Sequence, residues 1–443
     1  MSEHVPDVAR PFPAVGPIEA ANGSKMRRLA IASMVGTSLE WYEFTIYNSM
    51  AALVFNKLFF PSFDPIVGTI LAFSTYAVGY VSRPVGGVVF GRLGDKLGRR
   101  AVLMATLILM GATTIAMGLL PSYETIGVAA PLILVALRFL QGVALGGEWA
   151  GAVLLSLEHG RPERRGLNAA WTQVGPSAGT LLAAGALALL TGVQTEQEFL
   201  SWGWRIPFLA SVVLILFGLW VRNGVEESPL FAKLEAEGAT TKAPVLEVLR
   251  NHTRSLFVAG GVRIGSDVLY GLLAVFTLTY VTQRLGLSRS LALTAVLIGA
   301  AVHVVCIPLF AGLSDRLGRR PVYGFGVVAA AVWAFVFFVL LDTKEPMLII
   351  LAVSIGMVFQ AAMYGPQGAF ITEQFTTRVR YTGSSLAYTF AGVVGGAFAP
   401  LIFVTLLREY PGTFALSAYT CVALLITAVA LLAARETARK QID

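Results

Sequence analysis

The stretch TSLEWYEFTIYN, Thr37 to Asn48, sets Glu40 and Glu43 three residues apart inside an apolar run. On a helix that spacing puts both carboxyls on one face. Two neighbouring carboxyls cannot easily both ionise, and burial opposes ionisation further, so at least one pKa rises. Such a group can bind and release a proton near neutral pH. Arg83, Arg138, Glu148, Arg263, Asp267 and His303 lie in equally apolar surroundings. A charge at the centre of a membrane helix costs roughly 2.5–3.5 kcal/mol even on the lenient insertion scale, so each is either functional or part of a structural ion pair. Arg263 and Asp267, at i and i+4, are spaced to neutralise each other. Alternatively, an anionic ligand competes for Arg263 and releases Asp267 to take a proton. His303 is either a packing residue or a group titrating in the useful range. Gln173, Gln360, Tyr364 and Gln367 are polar groups spaced to face inward, where they can hydrogen-bond ligand hydroxyls. Trp41, Tyr42 and Tyr47 either line the same space or pack.

The elements holding these residues must be membrane helices. The chain has 443 residues, 56% hydrophobic and 13% charged, against about 25% charged in a soluble domain. Its apolar residues come in blocks of about 20, the length that crosses the hydrocarbon core. Twelve spans are predicted, near 29–54, 66–90, 101–120, 128–151, 168–191, 204–221, 255–281, 290–312, 322–341, 346–371, 382–407 and 412–434. They must be helical, because lipid offers no partner to exposed backbone groups. Lys and Arg concentrate at one end of alternate spans, with only Lys57, Arg284, Arg289, Lys344 and Arg408 at the other, so both termini are expected in the cytoplasm. The same rule explains the net charge of +7 without nucleic acid. Cys306 and Cys421 both fall in apolar blocks and suggest no disulfide framework. The polar, Pro-rich first residues lack the apolar core of a signal peptide.

The chain divides at its longest polar stretch. The expected organisation is a tail over 1–28, a six-helix bundle over 29–221, a linker over 222–254, a second bundle over 255–434 and a tail over 435–443. GRLGDKLGRR (91–100) matches AGLSDRLGRR (311–320) at an offset of 220, at equivalent places in the two halves. By that offset Glu43 corresponds to Arg263 and Arg83 to His303, so spans one and seven are expected to face each other with opposite charges. Two six-helix halves in parallel repeat point to a secondary transporter with its site near the midplane.

The loop motif, its second copy and the twelve spans resemble the major facilitator superfamily over nearly the whole chain. LEWYEF, RPVGG, RFLQGVALGGEWAG (138–151), FLSWGWRIPF (199–208) and VRNGVEESPLF (221–231) are similar to its metabolite:proton symporter group, and most similar to the shikimate carriers there. The resemblance implies an all-α fold of two six-helix bundles. It implies that Asp95, Arg99 and Arg100, and in the second half Asp315, Arg319 and Arg320, form cytoplasmic gate latches. In each, the aspartate accepts from a neighbouring helix N-terminus. It assigns Arg138 to proton coupling. The expected function is proton symport of a small organic acid (shikimate-like, hydroxycarboxylate or dicarboxylate) across the bacterial inner membrane by alternating access. Glu40, Glu43, Arg138 and Asp267 are the coupling candidates. Glu43, Tyr47, Arg83, Glu148, Gln173, Arg263, His303, Gln360, Tyr364 and Gln367 are the substrate candidates. A monomer with no cofactor or metal is expected. The alternatives are a zwitterionic osmolyte carrier, weakened by a C-terminal segment too short for a coiled coil, and drug export by proton antiport. No HExxH motif or phosphate loop supports an enzyme.

Overall fold

A computed structural model describes residues 23–87, 89–90, 99–146, 148–158, 162–223, 244–376 and 379–438. Both chain ends, Asp95 and linker residues 224–243 lie outside these, as do the side chains of Arg99, Arg100 and Glu148. The described residues are helical, without a strand. Among the described residues, nine helices are long and apolar enough to cross a membrane, and Met104–Leu119 and Ala129–Leu145 are shorter apolar ones. Together with Gly23–Met50, which the charges at Glu40 and Glu43 make less apolar, they account for all twelve predicted spans.

In order, the spans are Gly23–Met50, Pro65–Val81, Arg99–Leu119, Ala129–Leu145 with Glu148–Glu158, Arg165–Val193 and Ile206–Asn223 in the first half. The second half runs through Thr253–Tyr270, Arg289–Leu317, Arg319–Asp342, Pro346–Thr372, Arg380–Ala391 with Ala399–Glu409, and Phe414–Ala433. Local chemistry sets several ends. Asp64 accepts from the backbone N–H of Ile66 at 3.0 Å, with Pro65 at the first helical position of span two. Ser288 caps span eight through Leu291 N–H at 3.2 Å.

Two features depart from the sequence expectation. Span four is broken at Gly146, which has ψ 89° and separates Leu145 from the helix starting at Glu148. A side chain at Gly146 would run into the backbone of Arg83 and Gly87 on span two. The close crossing of spans two and four therefore needs glycine there. The expected linker also contains an amphipathic helix, Pro244–Asn251, which buries Val248 against Phe375, Val379 and Ala387. Its apolar residues recur at helical spacing but are too few to read as a span.

Spans one and seven both contain π-helical turns, Ala51–Phe55 and Gly271–Phe276, at the repeat offset of 220. Spans five and eight run alongside each other between the halves, joined by Ser177 and His303.

Candidate functional site

The two glutamates of span one diverge. Glu40 lines a cavity between the halves. Glu43 is 3% exposed and points into the first bundle, where its Oε2 accepts from Thr114 Oγ1 of span three at 2.7 Å. Thr114 Oγ1 accepts from Gln141 Nε2 at 2.7 Å, and Gln141 Oε1 accepts from Arg138 Nη1. A directional chain thus runs Arg138 to Gln141 to Thr114 to Glu43. Arg138 has no exposed surface, and its guanidinium lies over the rings of Tyr47 and Phe44, 4.0 and 4.1 Å from their centroids. Tyr47 is bonded to Thr75. The expectation that Glu43 and Tyr47 belong to the wall facing span seven is corrected here. Three residues advance about 300° on a 3.6-residue helix, short of a full turn, so Glu43 points about 60° away from Glu40 and past the inter-half cavity.

Two cavities lie between the halves, and Trp41 lines both. The central one is lined by Trp41, Pro176, Arg263, Asp267, Tyr270, Gln360 and Tyr364. Arg263 Nε lies 2.8 Å from Asp267 Oδ2, its Nη1 donates to the Tyr388 carbonyl at 2.5 Å, and its guanidinium covers the Tyr388 ring. The i, i+4 pairing expected from sequence is therefore present. Gln360 Nε2 donates to Ser266 Oγ at 3.1 Å, while its Oε1 is buried without a partner. His303 Nδ1 is bonded to Ser177 Oγ at 2.6 Å and its Nε2 is buried unpartnered. The second cavity includes Glu40, Arg83, Trp149, Ser385 and Tyr388. Trp149 stacks on Tyr388 across the halves with centroids 3.7 Å apart, and its indole N–H donates to Gln173 Oε1 at 3.0 Å. Gln173 Nε2 reaches the Tyr364 carbonyl at 3.3 Å. The central cavity holds about 20 Å³ and the second about 40 Å³, space for a few water molecules.

The halves are tied at both faces. At the face bearing the C-terminal segment, Asp315 accepts from the backbone N–H of Gly166 and Leu167, at 2.8 and 3.0 Å, where span five begins. Arg319 Nη1 donates to Asp315 at 2.7 Å, and its guanidinium meets Glu373 at 3.4 Å. Glu436 then accepts from Arg319 and Arg320 N–H, both at 2.9 Å, and Thr437 Oγ1 donates to Glu373 at 2.6 Å. Burial pushes the Glu436 carboxyl up, but four backbone N–H groups outweigh it and hold its pKa below the ordinary value. At the far face, Glu196 binds Lys57 at 2.9 Å and Arg289 of the second half at 2.8 Å. Gln283 Nε2 donates to Thr69 Oγ1 at 3.0 Å and to the Ala52 carbonyl at 3.4 Å.

The structure thus gathers Arg263, Gln360 and Tyr364 at one cavity with His303 nearby, and Arg83 with Glu40 at the other. Gln367 is fully buried with both amide atoms unpartnered, and lines neither cavity. Sequence reasoning overlooked Trp149, Tyr388, Tyr270, Thr114 and Glu436, and gave Glu373 no part in the site. Glu373 had a legible signal, a carboxyl just past span ten. The aromatic residues had none, since rings in apolar helices mostly pack.

Comparison with known proteins gives the following. The Major Facilitator Superfamily model matches residues 34–400 and 256–443. The chain is 40% identical to the shikimate transporter of Escherichia coli K12 over 94% of its own length and 96% of that protein's. It is 37% identical to the inner membrane metabolite transport protein YhjE of the same organism, over 93% and 94%. It is 32% identical to the proline/betaine transporter of Salmonella typhimurium, over 96% and 87%. Among solved structures it is similar to the E. coli xylose transporter XylE in a partially occluded inward-open conformation. The TM-score there is 0.75 at 17% identity, covering 95% of this chain and 100% of that one.

Proposed function

Because this chain belongs to the Major Facilitator Superfamily and is a multi-pass inner-membrane transporter, we propose that it imports a small organic acid together with a proton by alternating access. The observation that carries this reading is the buried Arg263–Asp267 pair on a cavity between the two halves. A buried cation held by one carboxylate accepts another carboxylate in its place at little net cost, provided the first is neutralised. The acid's carboxylate takes Arg263, and the single coupled proton, carried in by Glu43, passes on to neutralise Asp267. Gln360 and His303, side chains that neighbour each other at the central cavity, hydrogen-bond hydroxyls on the substrate. Glu43 carries the coupled proton, and the chain through Thr114 and Gln141 reports its charge to Arg138. Asp315, Arg319, Arg320 and Glu373 latch the cytoplasmic face, and a matching latch at Asp95, Arg99 and Arg100 completes it in the first half.

A second reading, uptake of a zwitterionic osmolyte, has one observation in its favour. Trp41, Trp149 and Tyr388 line a cavity beside Glu40, and aromatic walls with a carboxylate suit a quaternary ammonium. Uptake into liposomes by purified protein, under an imposed inward proton gradient and with shikimate, dicarboxylates, citrate and glycine betaine as solutes, separates the two. Accumulation of an acid but not of betaine supports the first reading, and the reverse supports the second.

A further inference from the structure

We propose that Arg83 forms a second, transient carboxylate stop on the cytoplasmic exit path, separate from the central site at Arg263. The proposal rests on the organic-acid reading above. Arg83 is 8% exposed and lines the cavity that Trp41 divides from the central one. Its guanidinium is placed by aromatic faces, with the Tyr80 centroid at 4.1 Å and that of Phe44 at 5.0 Å. Among the described residues its Nε is buried without a hydrogen-bond partner, and no carboxylate pairs with it. Arg263, by contrast, is already ion-paired, with Asp267 Oδ2 2.8 Å from its Nε, and its Nη1 donates to the Tyr388 carbonyl. A guanidinium held face-on by rings keeps its donor edge for a bidentate carboxylate.

Position along the membrane supports a sequence of two stops. Arg83 is seven residues from the end of predicted span two at 90, and Arg263 is ten residues from the start of span seven at Thr253. At 1.5 Å per residue these are about 10 and about 15 Å from the cytoplasmic ends of their helices. The Arg83 cavity is therefore the outer of the two on the cytoplasmic side. Its roof is Trp41, and the stacked Trp149–Tyr388 pair joins the halves beside it. When the latch opens and that stack parts, an acid leaving Arg263 meets Arg83 before water, with Glu40 alongside to speed its departure by repulsion.

The test uses full-length protein in liposomes with shikimate as the probe, and compares Arg83→Gln, the size-matched Arg83→Met and Arg263→Gln. Equilibrium binding of shikimate is read by quenching of tryptophan fluorescence, and net transport by initial uptake rate. The expected result is that both Arg83 variants keep the dissociation constant within about twofold yet slow uptake by about tenfold or more, one lost charge-assisted contact. Arg263→Gln loses binding itself. Retained binding certifies the fold of the Arg83 variants. The proposal is overturned if they lose binding as Arg263→Gln does, which makes Arg83 part of the central site. It is also overturned if their uptake matches the parent, which leaves Arg83 a packing residue. Wild-type protein that neither binds nor accumulates any organic acid removes the underlying reading instead, a result seen before any variant is made.

Discussion

Glu43 is buried inside the first bundle, where its polar partners are the Thr114 hydroxyl and the Gln141 amide, with no cation directly paired to it among the described residues. A carboxyl so placed changes charge only when something else in the protein changes with it, which is the requirement for coupling. Replacement of Glu43 by Gln is therefore expected to abolish uphill accumulation while leaving exchange of substrate across the membrane intact. Counterflow and gradient-driven uptake measured on the same liposomes check this. Asp267 differs, because it has a cation. Asp267→Asn leaves Arg263 buried and unpaired, at an expected cost of about 3–5 kcal/mol, whereas replacing both partners by apolar residues costs far less. Thermal unfolding in detergent should rank the single variant well below the double one. Equal melting of the two would show that the pair contributes nothing to the fold. At this scale the sequence was legible where spacing was short: Arg263 and Asp267 pair as their i, i+4 separation implies. It was illegible where a side chain's direction depends on helix rotation, which is why Glu40 and Glu43 part company.

The proposed latch works between elements. Asp315 joins the end of span eight to the start of span five, and Glu436 caps the start of span nine from beyond span twelve. The first contact was foreseeable, since an aspartate in a loop motif repeated in both halves suits a helix N-terminus. The second was not, because nothing in RETARKQID marks one carboxyl as a cap. Asp315→Asn removes charge from two backbone hydrogen bonds and from Arg319. Each charge-assisted bond is about twice a neutral one in strength, so the latched state should lose about 1–2 kcal/mol, a shift of roughly 5–30-fold toward the cytoplasm-open form. Labelling of a cysteine introduced at Ser385 should quicken accordingly, and an unchanged rate would count against the latch. The break at Gly146 was likewise hidden, because it answers to the backbone of span two. Gly146→Leu should force spans two and four apart at a cost of about 1–3 kcal/mol, seen as a lowered melting temperature.

In the whole molecule, the described residues tie the halves at both faces, and the two cavities between them are each small enough for a few waters. This is an occluded arrangement, and it identifies what must break for each face to open. The far face depends on Glu196, whose pKa is lowered first by the hydrogen bond from Lys57 and then by the charge of Arg289. With a folded pKa below the unfolded one, its contribution is present above the ordinary carboxylate range. It is lost as pH falls through the folded value. Far-face accessibility should thus rise in strong acid and in high salt, because these are exposed charges, and Glu196→Gln should show the raised accessibility at neutral pH. Fold and half-repeat were legible across the chain because hydrocarbon thickness and the positive-inside bias constrain every span. The cavities were not, because they form where side chains from five or six spans meet. The measurement closest to the central claim is shikimate accumulation in liposomes with and without an inward gradient of one pH unit. Coupled one to one with a proton, wild-type protein should concentrate the acid by up to about tenfold, and Glu43→Gln should only equilibrate it. Accumulation indifferent to the gradient, or equal in the variant, would contradict the account.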